Sequence, residues 1–377
     1  MSPAEITIRG PDGESVTALF GEATPEQLIP CAELVFSAWG KGIDREKFLE
    51  YERLFATQPL TRDGGLRQWC VYRADKPAKV FATCKTIRRP VLVREKQPIR
   101  GYKTTEEKAY CVAAVVSDGA YRRQGIAAFM MEQLAKWLDG PGEAVASVLY
   151  SAVGEYYAKM GWQLANARKE TKTILQVKKG LPWEQLDLMT AWEVHNDCVS
   201  DLSTRDVKSV REEFDQLDLA HGETAICVLP TPEILGLQHA KAEYIGTWAA
   251  GVPPEVKGAK CNPLGTWVYW HHSFLKRRLL IQRVRLPLDR YDQGSTISGL
   301  TALIKSAINE AARWQLETVE IWSAPPEMQR AIEILHNELG IEFTTQERPT
   351  ADLVSVRWKD DAAKKTMVYA NEYYAYN

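Results

Sequence analysis

The alternation of apolar and polar residues divides the first half of the chain into short strands and amphipathic helices. The run "AYCVAAVVS" at 109–117 is almost continuously apolar, as expected of a central buried strand. From Arg122 to the glycines at 140–142, apolar residues recur at helical spacing with one buried stripe. Further strands are predicted at 4–9, 15–20, 66–73, 79–87, 144–153 and 171–178, and helices at 24–40 and 44–56. The pattern predicts one α/β domain.

A second α/β domain is predicted beyond residue 186. From residue 265 the pattern gives two strands, a long helix at 297–314, a strand at 318–324, a short helix and a last strand at 351–358. This order repeats that of residues 66–178 and indicates a structural duplication. The charged, Gly- and Pro-bearing stretch "KKGLPWEQ" marks the boundary, so the expected domains are 1–178 and 186–377.

Composition narrows the class of protein. The 377 residues are 45% hydrophobic with a net charge of -2, which suits a soluble globular protein and gives no sign of a nucleic-acid or membrane partner. Seven cysteines are widely spread without a C-x-x-C pair, which argues against a disulfide framework and a zinc site. We expect a cytoplasmic protein without a metal, and the sequence carries no indication of an oligomeric state.

The stretch "YRRQGIAAFMM" at 121–131 predicts an anion site at a helix start. The first N–H groups of a helix lack internal partners and carry the positive end of its dipole. Gly125 and Ala127 remove side-chain bulk there, while Arg122 and Arg123 add cationic donors. A pyrophosphate suits this arrangement, although neither a Walker loop nor a dinucleotide fingerprint is present.

Two motifs give this half of the chain a family resemblance. The Arg-x-x-Gly-x-Ala pattern at 122–127 resembles the acetyl-coenzyme A (acetyl-CoA) signature of the GNAT N-acetyltransferases. The block "SVLYSAVGEYYAKMGW" at 147–162 is similar to the later GNAT strand and helix, with Tyr157 and Gly161 at the family positions. With the "WVYWHH" stretch of the second half, the whole chain resembles a fungal lysine N6-acetyltransferase family.

The resemblance implies a GNAT fold, a mixed and mostly antiparallel sheet flanked by helices, followed by a GNAT-like domain that shapes the substrate cleft. It also implies direct attack of a small-molecule amine on acetyl-CoA. The strand at 109–117 would separate from its neighbour and free main-chain groups for the pantetheine arm. Tyr157 would protonate or hydrogen-bond the leaving sulfur, its alternative being a buried core tyrosine. The residues expected to hold acetyl-CoA are Val115, Val116, Ser117, Arg122, Arg123, Gln124, Gly125, Ile126 and Ala127.

The general base stays open at this point. The position that carries a glutamate in histone-type relatives is Cys111 here. A water chain, a group of the second domain, or a carboxylate could take the proton, the candidate carboxylates being Glu106, Glu107 and Asp118.

Three features of the second half bear on the substrate. His271 and His272 are adjacent on a strand, so they point to opposite faces, where one could meet the substrate or both could be satisfied internally. Arg283 and Arg285 could reach a carboxylate or face solvent. The aromatic segment at 369–377 is expected to pack, and its carboxylate could enter a cleft.

The acceptor implied by the resemblance is the ε-amine of free L-lysine. A polyamine, an amino sugar, a secondary-metabolite amine and a protein lysine are the alternative acceptors. A non-catalytic CoA-binding protein is the alternative of a different class, against which the set Arg122, Gly125, Ala127 and Tyr157 argues.

Overall fold

The computed structural model describes residues 4–10, 12–97, 99, 101–151, 153–165, 170–186, 188–287, 292–348, 352–360 and 364–376. Its helices are α1 Pro25–Trp39, α2 Arg45–Ala56, α3 Ile126–Asp139, α4 Asn196–Phe214, α5 Pro232–Ala250, α6 Gln293–Arg313 and α7 Pro326–Leu339. Its strands are β1 Glu5–Arg9, β2 Ser15–Glu22, β3 Leu66–Arg73, β4 Val80–Gln97, β5 Gly101–Ser117, β6 Ala146–Ser151, β7 Gln163–Leu164, β8 Thr171–Gln176, β9 Trp192–Val194, β10 Glu223–Val228, β11 Gly258–Cys261, β12 Thr266–Ser273, β13 Arg278–Arg285, β14 Thr318–Trp322, β15 Phe343–Glu347, β16 Leu353–Trp358 and β17 Lys365–Val368. No helix in these ranges is long and apolar enough to cross a membrane.

The chain forms two compact units, each built from three separate segments. The first unit contains residues 1–166, 219–226 and 350–368, and the second contains residues 167–218, 227–349 and 369–377. This division differs from the predicted domains 1–178 and 186–377. β8, assigned to the first domain from the sequence, pairs with β14 and β15 in the second sheet.

The first unit is a mixed sheet in the order β1-β2-β3-β4-β5-β6-β16-β7, in which β5 and β6 run parallel and the other neighbours along this order are antiparallel. Alternate residues of β3 face opposite sides, since Trp69 packs with α3 while Cys70 packs with Cys31 of α1. α2 lies beside α1, with the Phe36 and Phe48 rings 5.4 Å apart. Helices therefore cover both faces, as the resemblance implies.

The second unit repeats the central part of the first. Its sheet runs in the order β15-β8-β14-β13-β12-β11-β9, with β13 antiparallel to β12 and parallel to β14. α6 follows β13 as α3 follows β5, and its buried stripe, including Leu300 and Ile304, packs on the sheet together with α7. The duplication expected from the sequence is present in this unit up to α7. The predicted last strand at 351–358 is β16, which pairs with β6 and β7 in the first sheet instead.

Candidate active site

β5 and β6 separate before β5 reaches the turn that leads into α3. They pair in parallel from Ala109 to Cys111, and among the described residues the β5–β6 ladder continues no further. β5 stays paired with β4 as far as Ser117, across a bulge at which Ala114 has a φ of 50°. The main chain around Val115 and Val116 consequently borders a gap on the β6 side, as expected from the family resemblance.

The start of α3 is open, as an anion site requires. Gly125 is its N-cap, with a φ of 78° that disfavours other residues, and no side chain caps the helix. A Cβ built at Gly125 would meet nothing within 4 Å. The first helical bond runs from Phe129 N–H to the Gly125 carbonyl, so the N–H groups of Ile126 and Ala127 precede the ladder. These groups can donate hydrogen bonds to a phosphate oxygen.

The three polar residues before Gly125 differ in their environments. Arg122 and Arg123 are exposed and form no ion pair with any residue in the described ranges. The Gln124 side chain is engaged, because it accepts from Arg9 N–H at 2.6 Å and donates to the Arg9 carbonyl at 3.0 Å. Gln124 therefore anchors the turn to β1, a role that the sequence analysis did not assign to its side chain.

Tyr157 lies in a short 3-10 helix, Gly154–Met160, that follows β6. Its ring is half-buried against the core that α3 forms with the sheet, and it meets Tyr156 edge-on at 5.1 Å. Burial above all, with the electrostatic influence of Tyr156 and Cys84, raises the pKa of Tyr157 to about 12. The phenol is a hydrogen-bond donor at neutral pH.

The candidate bases differ in pKa, in hydrogen bonding and in their distance along β5 from the bulge. The Cys111 thiol is buried, and burial raises its pKa to about 11, so it stays protonated. Burial would raise the pKa of Asp118, but hydrogen bonds from Lys79, at 2.9 Å, and from Ala120 N–H lower it overall. Glu106 and Glu107 pair with Leu92 and Val91, well before the bulge of β5.

Three buried cations of β4 were not predicted from the sequence: Lys85, Arg89 and Arg94. Lys85 lies opposite Ala113, one residue before the bulge, and forms an ion pair with Glu52 of α2. Arg89 is buried as well, and its Nε has no hydrogen-bond partner. The signal was available in "KTIRRPVLV", since in an alternating strand one of two adjacent arginines has to face inward.

The second unit has a similar gap, which the segment 369–376 lines. β13 pairs with β14 only from Arg278 to Ile281 among the described residues. Beyond that point, Val284 N–H donates to a Glu372 oxygen at 2.7 Å, and Tyr373 meets the Trp322 ring of β14 at 4.7 Å. The segment packs, as predicted, whereas Asn377, where the sequence analysis placed a carboxylate, lies outside the described residues.

The arginines and histidines singled out in the second half lie within this unit's interior. Arg283 binds Asp206 with two hydrogen bonds of 2.9 and 3.0 Å, and Arg285 binds Glu213. His272 lies 2.8 Å from Glu310, and His271 packs on Tyr373. Burial lowers the pKa of both imidazoles. Both imidazoles have a buried Nδ1 without a hydrogen-bond partner, so the interior satisfies His272 only at Nε2. The substrate role of the two histidines stays a prediction. No group of metal-ligating residues occurs in the described ranges.

Comparison with known proteins agrees with this geometry. The family model described as the LYC1 GNAT-like C-terminal domain matches residues 183–377. A curated protein of Yarrowia lipolytica named lysine acetyltransferase is 21% identical over 303 residues, which cover 70% of this chain and 74% of that protein.

Two solved structures extend the comparison to the fold. A probable N-acyltransferase from Enterococcus faecalis V583 has a TM-score of 0.51 at 10% identity, covering 91% of this chain and 73% of its own. A tandem GNAT protein from the clavulanic acid biosynthesis pathway also has a TM-score of 0.51, at 11% identity. The match covers 91% of this chain and 99% of that protein. The fold is thus a GNAT fold followed by a second domain.

Proposed function

The chain belongs to the family that carries the LYC1 GNAT-like C-terminal domain, and we propose that it acetylates the ε-amine of free L-lysine with acetyl-CoA as donor. It is an N-acyltransferase of the GNAT type, and GNAT acetyltransferases use acetyl-CoA. Support for lysine comes from the Yarrowia relative, whose name is lysine acetyltransferase.

The observation that carries the proposal is the combination of the gap beside β5 with the open start of α3. Gly125 leaves the N–H groups of Ile126 and Ala127 accessible to a pyrophosphate, and Arg122 and Arg123 supply neighbouring positive charge. The main chain at Val115 and Val116 would hold the pantetheine arm and polarise the thioester carbonyl.

Tyr157 would stabilise the departing sulfur. Its phenol stays protonated at neutral pH, since its pKa is raised to about 12. A thiol has an ordinary pKa of about 8.5, so complete proton transfer from the phenol to the thiolate is unfavourable. We therefore assign Tyr157 a hydrogen bond to the sulfur rather than the final proton, which water supplies.

The attacking amine has to lose a proton first, because a lysine ammonium has an ordinary pKa of about 10.4. Cys111 is neutral and Asp118 is held by Lys79. Of the bases considered for the first unit, a water chain that carries the proton to solvent fits these contacts best.

The test is a thiol-release assay with acetyl-CoA and four acceptors: L-lysine, spermidine, glucosamine and a lysine-containing peptide. We expect the highest kcat/KM with L-lysine. A higher value for another acceptor would reassign the substrate. Thermal stabilisation by acetyl-CoA without release above the hydrolysis rate would indicate a CoA-binding protein instead.

A further inference from the structure

Arg89 is a buried cation without a carboxylate partner. Its side chain is 1% exposed, its Nε has no hydrogen-bond partner, and Nη1 donates to the Arg88 carbonyl at 3.3 Å. No carboxylate in the described part of the chain lies within ion-pair distance of it. An uncompensated buried charge costs several kcal/mol, so the site favours an anion from outside the chain.

The guanidinium lies toward the closed end of the gap between β5 and β6. Arg89 is opposite Ala109 of β5, and the Cys111 thiol and the Tyr150 phenol lie near its guanidinium. Cys111 forms the last pair of β5 with β6, and Tyr150 follows its partner Val148 by two residues. Arg89 therefore lies beside the paired part of the two strands, two residues before the last pair at Cys111.

The other cations of β4 are already engaged or face elsewhere. Lys85 shares the face of Arg89, but Glu52 neutralises it. Arg94 donates to Thr104 and stacks on Tyr102, with the guanidinium 4.6 Å from the ring centre. Arg88 is exposed on the opposite face. Arg88 and Lys96 are exposed to water, so Arg89 is a buried cation of this strand that no described carboxylate compensates.

The spacing favours a long acceptor. Cys84, the β4 residue opposite the bulge of β5, precedes Arg89 by five residues. This corresponds to about 17 Å along the strand. Extended L-lysine alone cannot span this distance, so the Arg89 side chain has to reach toward the bulge. The acceptor still needs several methylenes between its carboxylate and its amine, as L-lysine has.

We propose that Arg89 binds the α-carboxylate of the acceptor, so that the enzyme selects free amino acids with a distant amine over polyamines, amino sugars and peptide lysines. This inference rests on the proposed acetyl transfer. A guanidinium matches a carboxylate with two parallel hydrogen bonds.

The experiment compares L-lysine, L-lysinamide and 1,5-diaminopentane as acceptors for the wild type, Arg89→Met, Arg89→Lys and the control Arg88→Met. In the wild type we expect kcat/KM for L-lysine to exceed that for the two acceptors without a carboxylate. Arg89→Met should raise KM for L-lysine roughly 10- to 100-fold with kcat little changed, and it should abolish the preference. Arg89→Lys should be intermediate and Arg88→Met unchanged.

Two measurements separate this inference from the proposed function and from a folding defect. Calorimetric titration of L-lysine and L-lysinamide reports carboxylate-dependent binding even where no turnover occurs. Arg89→Met removes an uncompensated charge, so its Tm should equal or exceed that of the wild type. Equal binding of the two ligands by the wild type, or an unchanged KM in a folded Arg89→Met, would overturn the inference.

Discussion

Among single residues, Tyr157 shows how burial prepares a group for chemistry. The ring packs in the core on one side, and its neighbour Tyr156 is exposed. Removal from water disfavours the phenolate, which is why the pKa rises to about 12. A phenol in this state is a stable donor to a developing thiolate over the whole physiological pH range.

Tyr157→Phe should lower kcat about 100-fold while leaving the Kd for acetyl-CoA unchanged, because the hydrogen bond to sulfur strengthens only as charge develops. Stopped-flow thiol release and calorimetry measure the two quantities. Tyr156→Phe is the matched control and should retain wild-type turnover. If Tyr157→Phe turns over normally, the tyrosine is structural.

At the scale of elements, the turn before α3 is shaped both by its own residues and by a contact with a distant strand. Gly125 supplies the left-handed conformation, and Gln124 fixes the turn to the main chain of Arg9. The sequence was sufficient to predict the helix start, since its signals are adjacent. It could not reveal the Gln124 contact, because the partner is 115 residues away.

Gly125→Val should weaken acetyl-CoA binding at least 100-fold. A β-branched residue at a φ of 78° is strained, and its side chain would occupy the space left for the phosphate. Gly13→Val imposes a comparable φ, 79°, at another glycine with open surroundings, and it should bind acetyl-CoA normally. Calorimetry with acetyl-CoA makes the comparison, and equal Kd values for the two variants would contradict the role of Gly125.

In the first half, most strand and helix positions followed from local periodicity, but sheet membership did not. The short apolar strands β8 and β16 carry similar patterns, yet β8 joins the second sheet and β16 the first. β4 extends to Gln97 instead of ending near 87. The stretch "RRPVLVREK" contains a proline and charges, which are unusual in a central strand, yet β5 pairs with it throughout. Only the tertiary pairing could resolve these points.

At the scale of the whole molecule, a network of buried charges ties distant segments of the second unit together. Arg283 bridges Asp206 of α4 and Glu372 of the C-terminal segment, and Arg285 binds Glu213. Removing one partner of such a pair destabilises the protein, because the charge of the other partner then lacks compensation. The network makes the stability of this unit sensitive to acid.

Burial acts to raise the pKa of Glu213, but hydrogen bonds from Arg285 and Tyr369 lower it overall. Its contribution to stability is therefore present above the ordinary pKa of about 4.3 and is lost as the pH falls through the lower folded-state value. Because the Glu213 side chain is about one-third exposed, solvent screens the pair, and Glu213→Gln should cost about 0.5–1 kcal/mol at pH 7 and little at low pH. Urea unfolding at pH 7 and pH 3 measures this. Glu212→Gln, an exposed neighbour, should show no such pH-dependent difference, and a loss independent of pH in Glu213→Gln would contradict the assignment.

The position of β16 has a consequence for synthesis. It pairs with β6, and its Arg357 binds Asp139 across 218 residues of sequence. Until residue 358 has left the ribosome, the β6 edge of the first sheet lacks this neighbour. Domains usually fold in the order in which they are made. In this chain the N-terminal unit is completed only after residue 358 has been made, and its open edge has to be protected from association with other nascent chains until then.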